Sequence, residues 1–133
     1  MSPDHVEIIR RAYELWNADE DERLLESFHP DVVYVTSGVF PGFDPEYRGR
    51  EGIARFRDEM LEAWERFELE PLDVAVEGDV VTVAIRFVAR GRVSGVDVDV
   101  AFHHVAQMRD GLIYRFAAHP DPERARAAAG IGA

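Results

Sequence analysis

Cysteine is absent from this chain, which removes disulfides, thiolate nucleophiles and zinc–thiolate sites together. Lysine is absent too: all 15 basic residues are arginine, so neither a Schiff base nor a lysine base is available. Serine occurs only at Ser2, Ser27, Ser37 and Ser94, and none sits in a Gly-x-Ser-x-Gly elbow. Covalent catalysis is therefore disfavoured. Acid–base chemistry by His, Asp, Glu or Tyr, or plain binding, is what remains. No Gly-rich phosphate loop occurs, and the imaginable donors His103, His119, Asp97 and Asp99 lack metal-ligand spacing, so neither a cofactor nor a metal is expected. There is no run of eighteen apolar residues and no basic start followed by an apolar core. Neither a membrane span nor a secretory signal is expected, and the expected compartment is the cytoplasm.

Positive charge is also scarce. The formal net charge is −11, which repels phosphate backbones and anionic lipid surfaces, and arginine and glutamate are interleaved along the helices without a basic stripe. No nucleic-acid or membrane partner is expected. What is present is an ordinary globular balance, 47% hydrophobic and 31% charged over 133 residues. That length suits one domain, residues 1–133, with a core of about 4–120 and a tail of 121–133.

Ser2-Pro3-Asp4 opens a helix that carries Val6, Ile9, Tyr13 and Trp16 at helical spacing to about Asn17. A short helix is predicted over 20–27, a turn at Phe28-His29-Pro30-Asp31 and a strand over 32–36. Residues 37–47 read as an ordered loop in which Phe40, Phe43 and Tyr47 either cap a pocket mouth or plug the wide end of the fold. The strongest helix runs from Gly49 or Arg50 to Phe67, with Ile53, Phe56, Met60, Leu61, Trp64 and Phe67 on one face. After Pro71 the period changes to two: strands at 72–77, 80–90, 96–109 and 112–119 form an antiparallel meander, and 121–129 add a final helix. Helices followed by a meander make an α+β fold. Strand 80–90 is apolar on both faces, so a homodimer through the outer sheet face is expected; a half-exposed outer face is the alternative.

His103 and His104 interrupt the long strand Val96 to Met108. Successive strand side chains point to opposite faces, so one imidazole must face the helices, where it needs a partner, a ligand or a catalytic role.

Tyr13-Glu14-Leu15-Trp16-Asn17-Ala18-Asp19, Phe28-His29-Pro30-Asp31-Val32-Val33-Tyr34 and Tyr47-Arg48-Gly49-Arg50-Glu51-Gly52-Ile53-Ala54-Arg55-Phe56, with the Asp110-Gly111 hairpin, resemble the SnoaL-like group. That group includes polyketide cyclases and ketosteroid isomerases, within the nuclear-transport-factor-2-like superfamily. The resemblance implies a cone-shaped, curved antiparallel sheet wrapped around the N-terminal helices, a cystatin-like α+β barrel, with an apolar pocket inside. It places Thr36 where ketosteroid isomerases carry the base aspartate, His103 at the oxyanion-hole aspartate, and Ala12 at the helix-one tyrosine, with Tyr13 one residue late. All three depart, so Δ5-3-ketosteroid isomerisation by that mechanism is not implied.

On this alignment His103, Val105 and Gln107 face the pocket, and Phe102, His104, Ala106 and Met108 face outward; a one-residue slip would exchange the histidines. His103 is either a general acid–base group or a pocket-lining histidine. Tyr34 is either an oxyanion-type donor or simply packed, and Thr36 shares its face. Tyr13, Trp16, Phe56, Met60, Phe87 and Phe116 are the expected apolar lining. Arg48-Gly49-Arg50-Glu51 and His29 read as structural, and His119 as pointing away from the pocket. The functional expectation is a small apolar carbonyl-type ligand, bound for cofactor-free isomerisation, dehydration or cyclisation. The alternative is a non-catalytic ligand-binding or dimerisation module of the same fold.

Overall fold

The computed structural model describes residues 4–37, 39–40 and 42–129; Ser2 and Pro3, read above as helix-opening residues, lie outside them. Asp4 is the cap of the first helix: its carboxylate accepts the Glu7 N–H at 3.2 Å, satisfying one of the amides a helix start leaves unpaired. Helix α1 (His5–Asn17) buries Ile9, Ala12, Tyr13, Leu15 and Trp16 along one stripe. A short helix α2 (Asp21–Leu25) follows and buries Leu24.

Strand β1 covers Phe28–Val35, so the predicted turn at Phe28-His29-Pro30-Asp31 is instead strand. Proline is tolerated there because pairing with the neighbouring strand is irregular between Phe28 and Val33. A three-residue strand β2 (Glu46–Arg48) emerges from the loop and pairs antiparallel with β1. Gly49, at φ 71°, makes the turn into helix α3 (Gly49–Ala63), a backbone angle that glycine adopts without a Cβ clash.

The predicted helix to Phe67 ends four residues early. Trp64 is extended (φ −119°, ψ 132°) and begins β3 (Trp64–Glu77), which pairs with β4 (Val80–Gly91) from Trp64 opposite Gly91 onward. Pro71 lies inside β3 at a register shift. As an edge strand β3 accommodates a residue without N–H, so that proline does not begin the sheet as predicted. Strands β5 (Asp97–Arg109) and β6 (Leu112–His119) complete a six-stranded curved, unclosed sheet of order β2-β1-β6-β5-β4-β3. All pairings are antiparallel except β1 with β6, which run parallel with Tyr34 opposite Phe116. The fold class is α+β as expected, with this one parallel seam as a correction to an all-antiparallel sheet.

Val81, Val83, Ile85, Phe87 and Ala89 of β4 and Phe102, Ala106 and Met108 of β5 are buried on the face that α1 and α3 cover. Asn17 ties the end of α1 to the exposed edge of the sheet: its side-chain amide donates to Leu69 O at 2.8 Å, and its oxygen accepts the Leu69 N–H at 3.1 Å. On the opposite face, helix α4 (Pro122–Ala129) packs across β4, β5 and β6 with Ala125 fully buried. The chain's own C-terminal helix thus occupies part of the outer face expected to take a second copy.

Arg57 of α3 fixes the helices to one another. Its guanidinium donates to Asp21 and Asp19, both at 2.6 Å, and lies 4.7 Å over the Trp16 ring. Its side chain is 3% exposed, whereas Asp19 and Asp21 are 78% and 52% exposed. Breaking a fully buried pair costs about 3–5 kcal/mol, and the solvated carboxylates reduce that. Arg57→Ala is therefore expected to lose about 2–3 kcal/mol in urea unfolding at unchanged m-value, with Asp19→Asn losing less than about 1 kcal/mol; equal losses would place the stabilisation elsewhere.

Candidate functional site

Register, more than composition, decides what reaches the interior. Val83 lies opposite His104 and Ile85 opposite Phe102 across the β4–β5 pair, and Ala118 of β6 faces His104 from the other side. Val83, Ile85, Phe102, His104 and Ala118 are all buried, so His104, not His103, enters the concave face. His103 lies opposite His119 on the outer face, where α4 packs. The predicted assignment is thus reversed by one residue: Phe102, His104, Ala106 and Met108 point inward, and His103, Val105 and Gln107 point outward. The physical reason is burial. Phe102, Ala106 and Met108 share one parity, and exposing them would cost more than burying one neutral imidazole.

The interior holds an apolar cavity with about 40 Å³ open to the centre of a water-sized sphere. That is room for a few waters and below the ~150 Å³ at which an engineered apolar cavity accepts benzene, so a ring-sized ligand requires wall side chains to move aside. Tyr13, Trp16, Tyr34, Phe56, Met60 and Phe116 line it, together with His104 and Phe40, two residues not predicted to do so. Phe87 does not: Phe40 packs edge-on against it at 5.6 Å. Thr36 is buried on the same strand face as Tyr34, but its hydroxyl donates to Asp44 O at 2.9 Å and holds the 37–45 loop. His104 could have been found from the parity of Phe102, Ala106 and Met108; Phe40, on a loop, offers no periodic signal.

Among the described residues no carboxylate or guanidinium lines this cavity. Its polar centre is the hydrogen bond between Tyr13 Oη and His104 Nδ1, 2.6 Å long and completely buried. Burial, followed by the nearby His119 and His103, lowers the His104 pKa to about 3, so the ring is neutral at pH 7. Burial also raises the Tyr13 phenol well above the ordinary tyrosine value, and it raises Tyr34, reinforced by Tyr47. Between a neutral phenol and a neutral imidazole, the phenol is the stronger donor. Tyr13 O–H therefore donates to Nδ1, which puts the ring proton on Nε2. Among the described residues this is the one side-chain hydrogen bond the imidazole makes. Phe116 at 4.3 Å, Phe102 at 5.1 Å and Tyr34 at 6.2 Å between ring centroids confine the ring.

Tyr47, by contrast, belongs to the scaffold. Its hydroxyl donates to Glu59 at 2.6 Å and accepts the Asp44 N–H, and burial and Glu59 raise its pKa to about 12. Asp97 and Asp99, considered above as metal donors, pair with Arg90 and Arg86 on the sheet surface. Among the described residues no group of three or more His, Asp or Glu side chains is arranged to hold a metal ion, and no helix is long and apolar enough to cross a membrane.

A curved sheet that holds helices around an interior cavity is the architecture described as nuclear-transport-factor-2-like or cystatin-like. The chain belongs to the SnoaL-like domain family, which it matches over residues 9–116. Similar solved structures include TerC co-crystallised with polyporic acid (24% identity, 90% of this chain and 93% of that one, TM-score 0.79). A protein of unknown function with this fold from Burkholderia pseudomallei is 19% identical over 96% and 97% of the two chains, at a TM-score of 0.81. A SnoaL-like polyketide cyclase, so described without proof of activity, from Jannaschia sp. CCS1 is 23% identical over 93% and 90%, at a TM-score of 0.76. A comparison with curated proteins finds no match.

The buried imidazole carries a pH signature. A histidine whose folded pKa is about 3, against about 6.5 unfolded, binds its proton only on unfolding. Its contribution is complete above about pH 6.5 and is lost as the pH falls toward 3, at up to about 1.4 kcal/mol per unit. Urea unfolding from pH 7 to pH 4 should therefore show a shallower acid loss in His104→Gln than in the wild type. Parallel curves for His104→Gln and wild type would contradict the buried neutral state.

Proposed function

We propose that this chain binds a small, uncharged, largely apolar molecule bearing one carbonyl oxygen, and that the Tyr13–His104 pair receives that oxygen. The observation that carries the reading is the buried 2.6 Å hydrogen bond at the wall of an otherwise apolar cavity. His104 Nε2–H donates to the carbonyl while Tyr13 holds the opposite ring nitrogen. A donor fixed in a water-poor cavity stabilises negative charge developing on that oxygen more than it would in water. Cofactor-free isomerisation, dehydration or aldol-type cyclisation all pass through such an oxyanion. With its basicity so depressed, the imidazole serves as a hydrogen-bond donor in preference to a general base. Membership of the SnoaL-like family and the polyketide-cyclase-like neighbours support small-molecule binding.

One observation favours a second reading. Among the described residues no carboxylate lines the cavity, so the wall they form supplies no proton-abstracting carboxylate for such chemistry. A non-catalytic ligand-binding module accounts for the same geometry. On either reading we place the protein in the cytoplasm, as a homodimer through the strip of outer face formed by Val33, Val35, Val80, Val105 and Ala117. Sedimentation velocity at micromolar concentration tests that contact.

Acetophenone separates the possibilities. Titration should show binding that weakens about 3- to 10-fold in His104→Phe, the worth of one neutral hydrogen bond, and does not change in His103→Ala. The bound C=O stretch should move to lower frequency in the wild type and return toward its apolar-solvent value in His104→Phe. Exchange of the methyl protons with D₂O above background would identify an enolising enzyme, and binding without exchange the non-catalytic module. No binding would remove the proposal.

A further inference from the structure

Phe40 occupies the centre of the aromatic interior although it belongs to a loop. Its ring lies 5.6 Å from Phe56 of α3, 5.6 Å from Phe87 of β4 and 5.6 Å from Phe102 of β5. It is 6% exposed and forms part of the cavity wall, while Phe87 and Phe102 are buried beyond it and do not line the cavity. Both meet Phe40 nearly edge-on, at 82° and 81°. The space between α3 and the concave face of β4–β5 is thus filled by a side chain that neither a helix nor a strand supplies, with Phe43 of the same loop 5.8 Å from Phe40 and 5.6 Å from Phe56 on the α3 side.

The flanking chain suits a plug anchored at its base. Ser37 at φ 50° and Gly42 at φ 88° bracket Phe40. Thr36 N–H donates to Pro45 O, Thr36 Oγ1 to Asp44 O, and Arg55 holds the Asp44 carboxylate at 2.7 Å. These anchors bear on residues 36, 44 and 45. At Phe40 itself, the backbone carbonyl accepts the Phe43 N–H at 3.1 Å, a bond any residue at 40 retains. The side chain can therefore change without loss of the loop's attachment.

We infer that Phe40 is a specificity-determining residue: it keeps two fused rings out of the cavity, and its truncation joins the cavity to the space in front of Phe87 and Phe102, admitting them. This rests on the small-molecule reading above and deepens it by naming an upper size limit for the native site, neutral carbonyl compounds of no more than one ring.

Acetophenone and 2-acetonaphthone, which share the carbonyl and differ by one fused ring, test it on the full chain. The wild type is expected to bind acetophenone at least tenfold more tightly than 2-acetonaphthone. Phe40→Ala should bind 2-acetonaphthone at least tenfold more tightly than the wild type does, with Phe40→Leu intermediate and serving if the alanine variant unfolds. In crystals of Phe40→Leu with 2-acetonaphthone the distal ring should lie against Phe87 and Phe102. An unchanged preference in both variants, or a naphthyl ring seated elsewhere, would overturn the role of Phe40 and leave the binding proposal standing if acetophenone still binds. If the wild type binds neither compound the binding proposal fails; naphthyl binding gained in a Phe40 variant would then still support the plug, and none gained would overturn it too.

Discussion

The two-residue period of β5 is the constraint on which the interior depends. Phe102, Ala106 and Met108 have to be buried against α1 and α3, and a strand that buries those three buries His104 with them. An imidazole so placed must be neutral or paired with a charge. Burial keeps it neutral, with no carboxylate bonded to it among the described residues, and it needs a partner that is polar yet uncharged. Helix α1 supplies one at Tyr13, because the helical phase that buries Ile9 and Trp16 also turns Tyr13 inward. Ninety-one residues separate the two, and each is fixed by the periodicity of its own element.

Most of the elements were legible in the sequence because their periodicity is strong. Helix α1 and strands β4, β5 and β6 lie where the apolar spacing put them, to within a residue or so. Where the reading went astray, local propensity was overruled by pairing that a single sequence does not display. Trp64 and Phe67 continue the apolar face of α3, yet Trp64 pairs with Gly91 and the helix stops at Ala63. Pro71 and Pro30 looked like breaks, and both sit at irregularities of strand pairing that tolerate them. The parallel seam between β1 and β6 joins the two ends of the fold, and no local pattern announces it.

The interior was legible in kind but not in detail. Aromatic residues on helical and strand faces named much of the lining, because burial and periodicity travel together. The choice between His103 and His104 went the wrong way when distant resemblance was set above the alternation of the strand itself; Phe102, Ala106 and Met108 contained the answer. Phe87 and Thr36 were assigned to the cavity from their faces alone. A face does not specify depth: a loop phenylalanine screens the first, and the second spends its hydroxyl on the loop that carries that phenylalanine.

Charge is distributed so that the outside and the inside of this protein pose opposite chemical problems. The net charge of −11 is carried by side chains on the surface or paired with arginines, and among the described residues the cavity wall has no ionised group. A charged ligand entering there would lose its hydration and meet no counter-charge, a cost of several kcal/mol. A neutral ligand surrenders little beyond the water around its one oxygen, and a fixed N–H can replace that water. The uncharged Tyr13–His104 pair selects for such a molecule before any question of reaction arises. Whatever chemistry occurs must then develop its charge beside that donor, since the wall presents no ionised group to share it.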